Sequence, residues 1–72
     1  MSRFNYPHEV VAMVAHLLSG VVDDRENFND WSACAALDAA HYEVSNWLMN
    51  EEERMALLDL IEGARRALEA IA

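Results

Sequence analysis

The stretch Trp31–Met49, WSACAALDAAHYEVSNWLM, constrains the fold of this chain more than any other part of it. It holds both tryptophans and the only cysteine. It contains no Gly or Pro, so nothing in it breaks a helix. At 100° per residue, Ala33, Leu37, Ala40, Val44 and Leu48 fall on one stripe, with Cys34 and His41 on its flank. Trp31, Tyr42 and Met49 cluster roughly 100° round from that stripe. A helix apolar on two sides must touch something on both, and its alanines let neighbours come close. The stretch reads as the central helix of a small bundle.

The flanking segments supply the other helices. Tyr6 precedes Pro7, which biases it away from helical torsions, and Pro7 suits a first helical position. Phe4 and Tyr6 are available to pack on the bundle. Glu9 then favours the first turn through the helix dipole. Val10, Val11, Val14, Leu17, Leu18, Val21 and Val22 follow the rhythm of a broad buried face, so a helix over 7–22 is predicted to run through Gly20. The alternative role for Gly20 is a C-cap that ends the helix at Ser19. Asp23–Asp30, DDRENFND, is the clearest connector, and Asp30 is the expected N-cap of a helix over 31–48. Asn50 followed by Glu51, Glu52 and Glu53 is a variant of the capping box that starts a third helix over 51–71. There Leu57, Ile61, Ala64, Leu68 and Ile71 keep heptad-like spacing, with Leu58 and Leu60 widening the stripe. Glu62–Arg66 and Arg65–Glu69 are candidate i, i+4 pairs, and Gly63 lies away from the stripe. The expected fold is an all-α, three-helix antiparallel bundle made of one domain, residues 1–72.

A chain of 72 residues is near the lower limit at which one core suffices, and usually needs a disulfide, a metal or a partner subunit. A single cysteine permits no intrachain disulfide and points to a reducing, cytoplasmic setting. The hydrophobic fraction of 54% exceeds the roughly 45–50% of typical soluble domains. Apolar area left over for a partner follows, and a homodimer through helices is the simplest way to bury it. The longest apolar run, Val10–Leu18, is interrupted by His16 and is too short to span a bilayer. Thirteen acids against five bases, all of them Arg, leave a net charge of −8. That balance argues against direct nucleic-acid binding and against attraction to an anionic membrane, and favours partners with basic surfaces.

Chemistry-bearing residues are sparse. His8 and His16 are about 12 Å apart along one helix and cannot share an ion. Asp38 and His41 resemble half of a carboxylate–histidine site in a bundle, which makes metal binding an alternative reading. Without further ligands at the right spacing, His41 reads instead as hydrogen-bonded at a buried helix contact. Cys34 and His41 are about 10 Å apart on one helix, too far for a thiolate–imidazole pair, and Cys34 reads as a small core residue. The acidic connector has no glycine at a calcium-loop turn, and no glycine-rich phosphate loop is present. No catalytic residue and no cofactor are assigned.

What remains is a binding surface. Trp31, Tyr42, Trp47, Met49 and Met55 are of the types enriched in interface cores. Asp23, Asp24, Glu51, Glu52 and Glu53 form a candidate acidic rim. The sequence therefore predicts a non-enzymatic, acidic helical protein that binds another protein and regulates or inhibits it. Mimicry of nucleic acid by its acids is a further alternative, weakened by their dispersal along the chain.

Overall fold

The computed structural model describes residues 6–71. Phe4 and the side chain of Ile71 lie outside the described part. Three helices follow one another, α1 (Pro7–Asp23), α2 (Asp30–Asn46) and α3 (Glu51–Ile71), and the described residues contain no strand. They form an antiparallel, up-down-up bundle, with the first connector at one end and the second at the other.

Local chemistry sets each boundary. Tyr6 is extended (φ −138°, ψ 150°), and Pro7 opens α1, as the missing N–H and fixed φ of proline favour. The helix runs through Gly20 and ends at Asp23. Gly20 is no cap: a Cβ built there would lie 3.4 Å from the ring of Phe28, so the connector's one aromatic folds back over the bare backbone. In the last turn of α1 Ser19 donates to Asp23 (3.0 Å), and within the connector Asn27 donates to Asp24 (3.0 Å). The α2 cap is Asn29 and not Asp30. Its Oδ1 accepts from the Ser32 N–H at 2.9 Å, while Asp30 lies within the first turn and binds Arg25 at 3.1 Å. At the start of α3, Asn50 Oδ1 accepts from the Glu52 N–H at 2.7 Å.

The end of α2 departs most from expectation. The helix stops at Asn46, two residues short of 48, and Trp47 turns extended (φ −74°, ψ 146°). Ser45 and Asn46 turn their side chains back onto the carbonyls of His41 and Tyr42, the local competition that loosens a helix end. Arg54 of α3 then reaches across, donating at 2.6 Å to the Val44 carbonyl and at 2.6 Å to the Trp47 carbonyl. Its Nε holds Glu51 at 2.9 Å. One guanidinium thus satisfies two backbone acceptors at a helix C-terminus, where a cation is also favoured by the dipole.

The core is one cluster: Val10, Val14 and Val21 from α1, Ala33, Leu37, Ala40 and Val44 from α2, and Leu57, Ile61, Ala64 and Leu68 from α3. Met13, Leu17, Leu18, Phe28, Trp47, Met49 and Leu58 pack around it, partly buried. The central element is α3 and not α2. It packs along both other helices, whereas α1 and α2 touch each other little. α2 brings mainly small residues to the core, three of its five buried residues being alanines. Leu57, Ile61 and Leu68 of α3 bring larger area, at about 1.5–3 kcal/mol per fully buried aliphatic side chain. Val11 and Val22, read as part of the α1 buried face, are 47% and 75% exposed. A face seven residues wide is more than one three-helix core can cover.

Candidate interaction surface

Hydrogen bonds and ion pairs fix which flank of each helix faces which neighbour. The α2–α3 seam is marked by Asp38 bonded to Arg65, by His41 Nε2 3.7 Å from Glu62, and by the Arg54 cap. Glu62 also holds Arg66 at 3.6 Å, as the sequence spacing predicts. Arg65 does not take its helical neighbour Glu69 but crosses to α2. The α1–α2 side is an open groove of about 340 Å³, with His16, Leu17 and Gly20 on one wall and Ser32, Ala33 and Ala36 on the other. Phe28 lies at its end.

The five aromatic and methionine residues singled out in the sequence divide into separate places. Trp47 and Met49 are half-buried and pack against the core at the α2–α3 turn. Met55 lies on the outer side of α3, 53% exposed. Trp31 and Tyr42 stand on the outer side of α2, 79% and 72% exposed. Their eleven-residue separation puts them about 16 Å apart along the axis and only about 20° apart in direction. They therefore form one ridge, three turns long, with the small exposed Ala35 and the Arg65-bound Asp38 between them. Leu48, fully exposed, follows the end of the same helix.

The acidic residues of the candidate rim fall into two clusters. Asp23 ends α1 and Asp24 begins the connector that feeds the Trp31 end of α2, and Glu51–Glu53 open α3 just beyond its Tyr42 end. The two clusters bracket the ridge lengthwise. Each also serves its own segment, since Asp23 holds Ser19 in the last turn of α1, Asp24 holds Asn27 of the connector, and Glu51 holds Arg54.

The histidines and the cysteine take structural positions. His8 stacks on the Tyr6 ring with centroids 5.5 Å apart. His16 is exposed on the groove wall. His41 is at the edge of the α2–α3 seam, 42% exposed at its side chain, and not in a buried contact. Asp38 and His41 both turn toward α3, where Arg65 and Glu62 meet them. Among the described residues no three His, Cys, Asp or Glu side chains come together as a metal-holding group. Cys34 is half-buried on the α2 flank.

Sequence reasoning missed a further feature. From Val10 to Val22, α1 carries no Asp, Glu, Lys or Arg, yet Val11, Ala12, Ala15, Ser19 and Val22 of that span are exposed. A charge-free helix would be expected to be covered all round. The signal was present in the width of the apolar face and in the missing charges. Among the described residues, no helix is long and apolar enough to cross a membrane.

Comparison with known proteins adds no kinship. No family model matches the chain, no curated protein matches it, and no solved structure matches it.

Proposed function

We propose that this chain is a non-enzymatic binding module that docks on another protein and regulates it by occupying its surface. The observation that carries this reading is the Trp31–Tyr42 ridge. Two large aromatics stand on one line of a helix with more than 70% of each in solvent. Leaving such groups in water forgoes burial of some 150–250 Å² each, and Trp and Tyr are the residue types that most often anchor interfaces. A helix ridge of this length fits a hydrophobic groove on the partner. The net charge of −8 and the acid clusters at both ends of the ridge favour a groove bordered by basic side chains.

The test is affinity capture from native extract with the wild-type chain, a Trp31→Ala, Tyr42→Ala double variant and a Glu69→Gln control. A protein held by the wild type and the control but lost by the double variant supports the reading. Capture that ignores the double substitution rejects the ridge as the docking element. Raising salt from about 0.05 M to 0.5 M shortens the Debye length from roughly 14 Å to 4 Å, so association should slow while dissociation changes little.

A further inference from the structure

The charge-free outer side of α1 belongs to a different face of the bundle from the α2 ridge. His16, Leu17 and Gly20 line the groove toward α2, so the opposite flank of α1, carrying Val11, Ala15, Leu18 and Val22, is turned away from α2. On α3, Arg54 and Arg65 mark the flank that faces α2. The opposite flank carries Ala56, Leu60, Gly63 and Ala67. Both flanks therefore open on one side of the molecule, with α1 and α3 running parallel.

We propose that a second copy of this chain covers this face, the two α1 helices pairing antiparallel about a two-fold axis. Three observations carry the proposal. First, Val11, Ala15, Leu18 and Val22 are spaced four, three and four residues apart, the heptad seam of a helix pair. That spacing reads the same in both directions. An antiparallel copy centred between His16 and Leu17 sets Val11 against Val22 of the second copy, and Ala15 against Leu18. Every seam position then meets an apolar residue, as a self-complementary two-fold interface requires. Second, the charges select the occupant. Each chain carries −8, and like charges set face to face would oppose pairing. This seam has no charge from Val10 to Val22, and its flanking residues His8, Ala12 and Ser19 add no acid. A partner recognised through its basic surface would find no counter-charge on this span of α1, whose acids, Glu9 and Asp23, lie outside it. Third, the area matches. A stable pair buries about 800 Å² on each side, roughly one-sixth of the 4942 Å² surface of the chain. The outer half of a 17-residue helix offers about 500 Å². The α3 flank beside it supplies the rest. There Gly63 has no atom within 4 Å of the position its Cβ would take, so a neighbouring helix can come close.

The test is sedimentation equilibrium of the full chain between about 1 and 100 µM. The expected species has twice the 8.1 kDa chain mass. Val11→Glu and Val22→Glu, at positions already exposed, should keep the helical circular dichroism and weaken pairing at least tenfold. Trp31→Glu, on the α2 ridge, should leave pairing intact. In a Cys34→Ala background, Val11→Cys chains mixed with Val22→Cys chains should form a disulfide-linked pair on mild oxidation, while Val11→Cys alone should not. A wild-type chain that stays at the single-chain mass throughout overturns the proposal. So does a pair that survives both glutamates, one that Trp31→Glu breaks, or cross-linking of Val11→Cys to itself.

Discussion

Arg54→Met isolates the contribution of one side chain to joining α2 and α3. The substitution keeps most of the aliphatic stem, so the loss falls on the guanidinium. That group is 16% exposed at its side chain and gives two bonds of 2.6 Å to the Val44 and Trp47 carbonyls. Hydrogen bonds to a charged group are worth about 1.5–3 kcal/mol each. The freed carbonyls lie at a helix end beside exposed residues and can recover water, so the net cost is about 2–4 kcal/mol. Set against a total of about 4–10 kcal/mol for a chain of this size, that is a large share. The melting temperature should fall by about 10–25 °C at the usual 4–8 °C per kcal/mol for domains this small. Urea unfolding followed by circular dichroism, at one fixed chain concentration, measures the free-energy cost, and a thermal scan under the same conditions the shift in melting temperature. Arg54→Lys keeps the charge without the fork and should fall between. Glu51→Gln should cost no more than about 0.5 kcal/mol, because Glu51 is 78% exposed. An Arg54→Met chain within about 0.5 kcal/mol of wild type would refute the assigned role, since that is the size of an exposed ion pair alone.

Further substitutions probe the other elements. Leu37→Ala removes a side chain that is 1% exposed in the shared core and should cost about 2–5 kcal/mol, read in the same urea titration. Asn29→Ala should cost about 1 kcal/mol by loss of the cap to Ser32, and Asp30→Ala clearly less; the reverse order would return the cap to Asp30. Gly63→Ala, at a helical position with open space around it, should stabilise the isolated chain by up to about 1 kcal/mol, seen as a rise in melting temperature at low concentration.

The number, order and type of elements were legible because each rests on local chemistry. Pro7 opens one helix, the polar run before Trp31 separates two, and Asn50 with three following glutamates starts the last. What was not legible depends on distance in the chain. Nothing near Trp47 shows that Arg54 caps α2, because a carbonyl cap from another helix has no fixed spacing. Asp30 was the expected α2 N-cap, but Asn29 beside it also carries an Oδ acceptor suited to capping, and only the register chosen by the fold separates the two. The hub role of α3 lies in how the three helices pack and is not signalled by aromatic content, which is concentrated on α2. The aromatic and methionine side chains of the candidate surface were identifiable by type. Their separation into a core pair, Trp47 and Met49, and an exposed pair, Trp31 and Tyr42, required knowing where α2 ends. Leu48 illustrates this, since continued helix would bury it on the stripe, but the turn at Trp47 throws it fully into solvent.

The central functional claim is that the α2 ridge is an anchor, and the fluorescence of Trp31 tests it most directly. Trp47→Phe leaves Trp31 as the single tryptophan of the chain. Alone, it should emit as water-exposed indole and be quenched freely by acrylamide, in keeping with its 79% exposure. When the protein captured by the wild-type chain is added, a blue shift and a severalfold loss of quenching are expected as the ring enters a pocket. Emission and quenching that stay unchanged while that protein is bound would contradict the anchor role of Trp31.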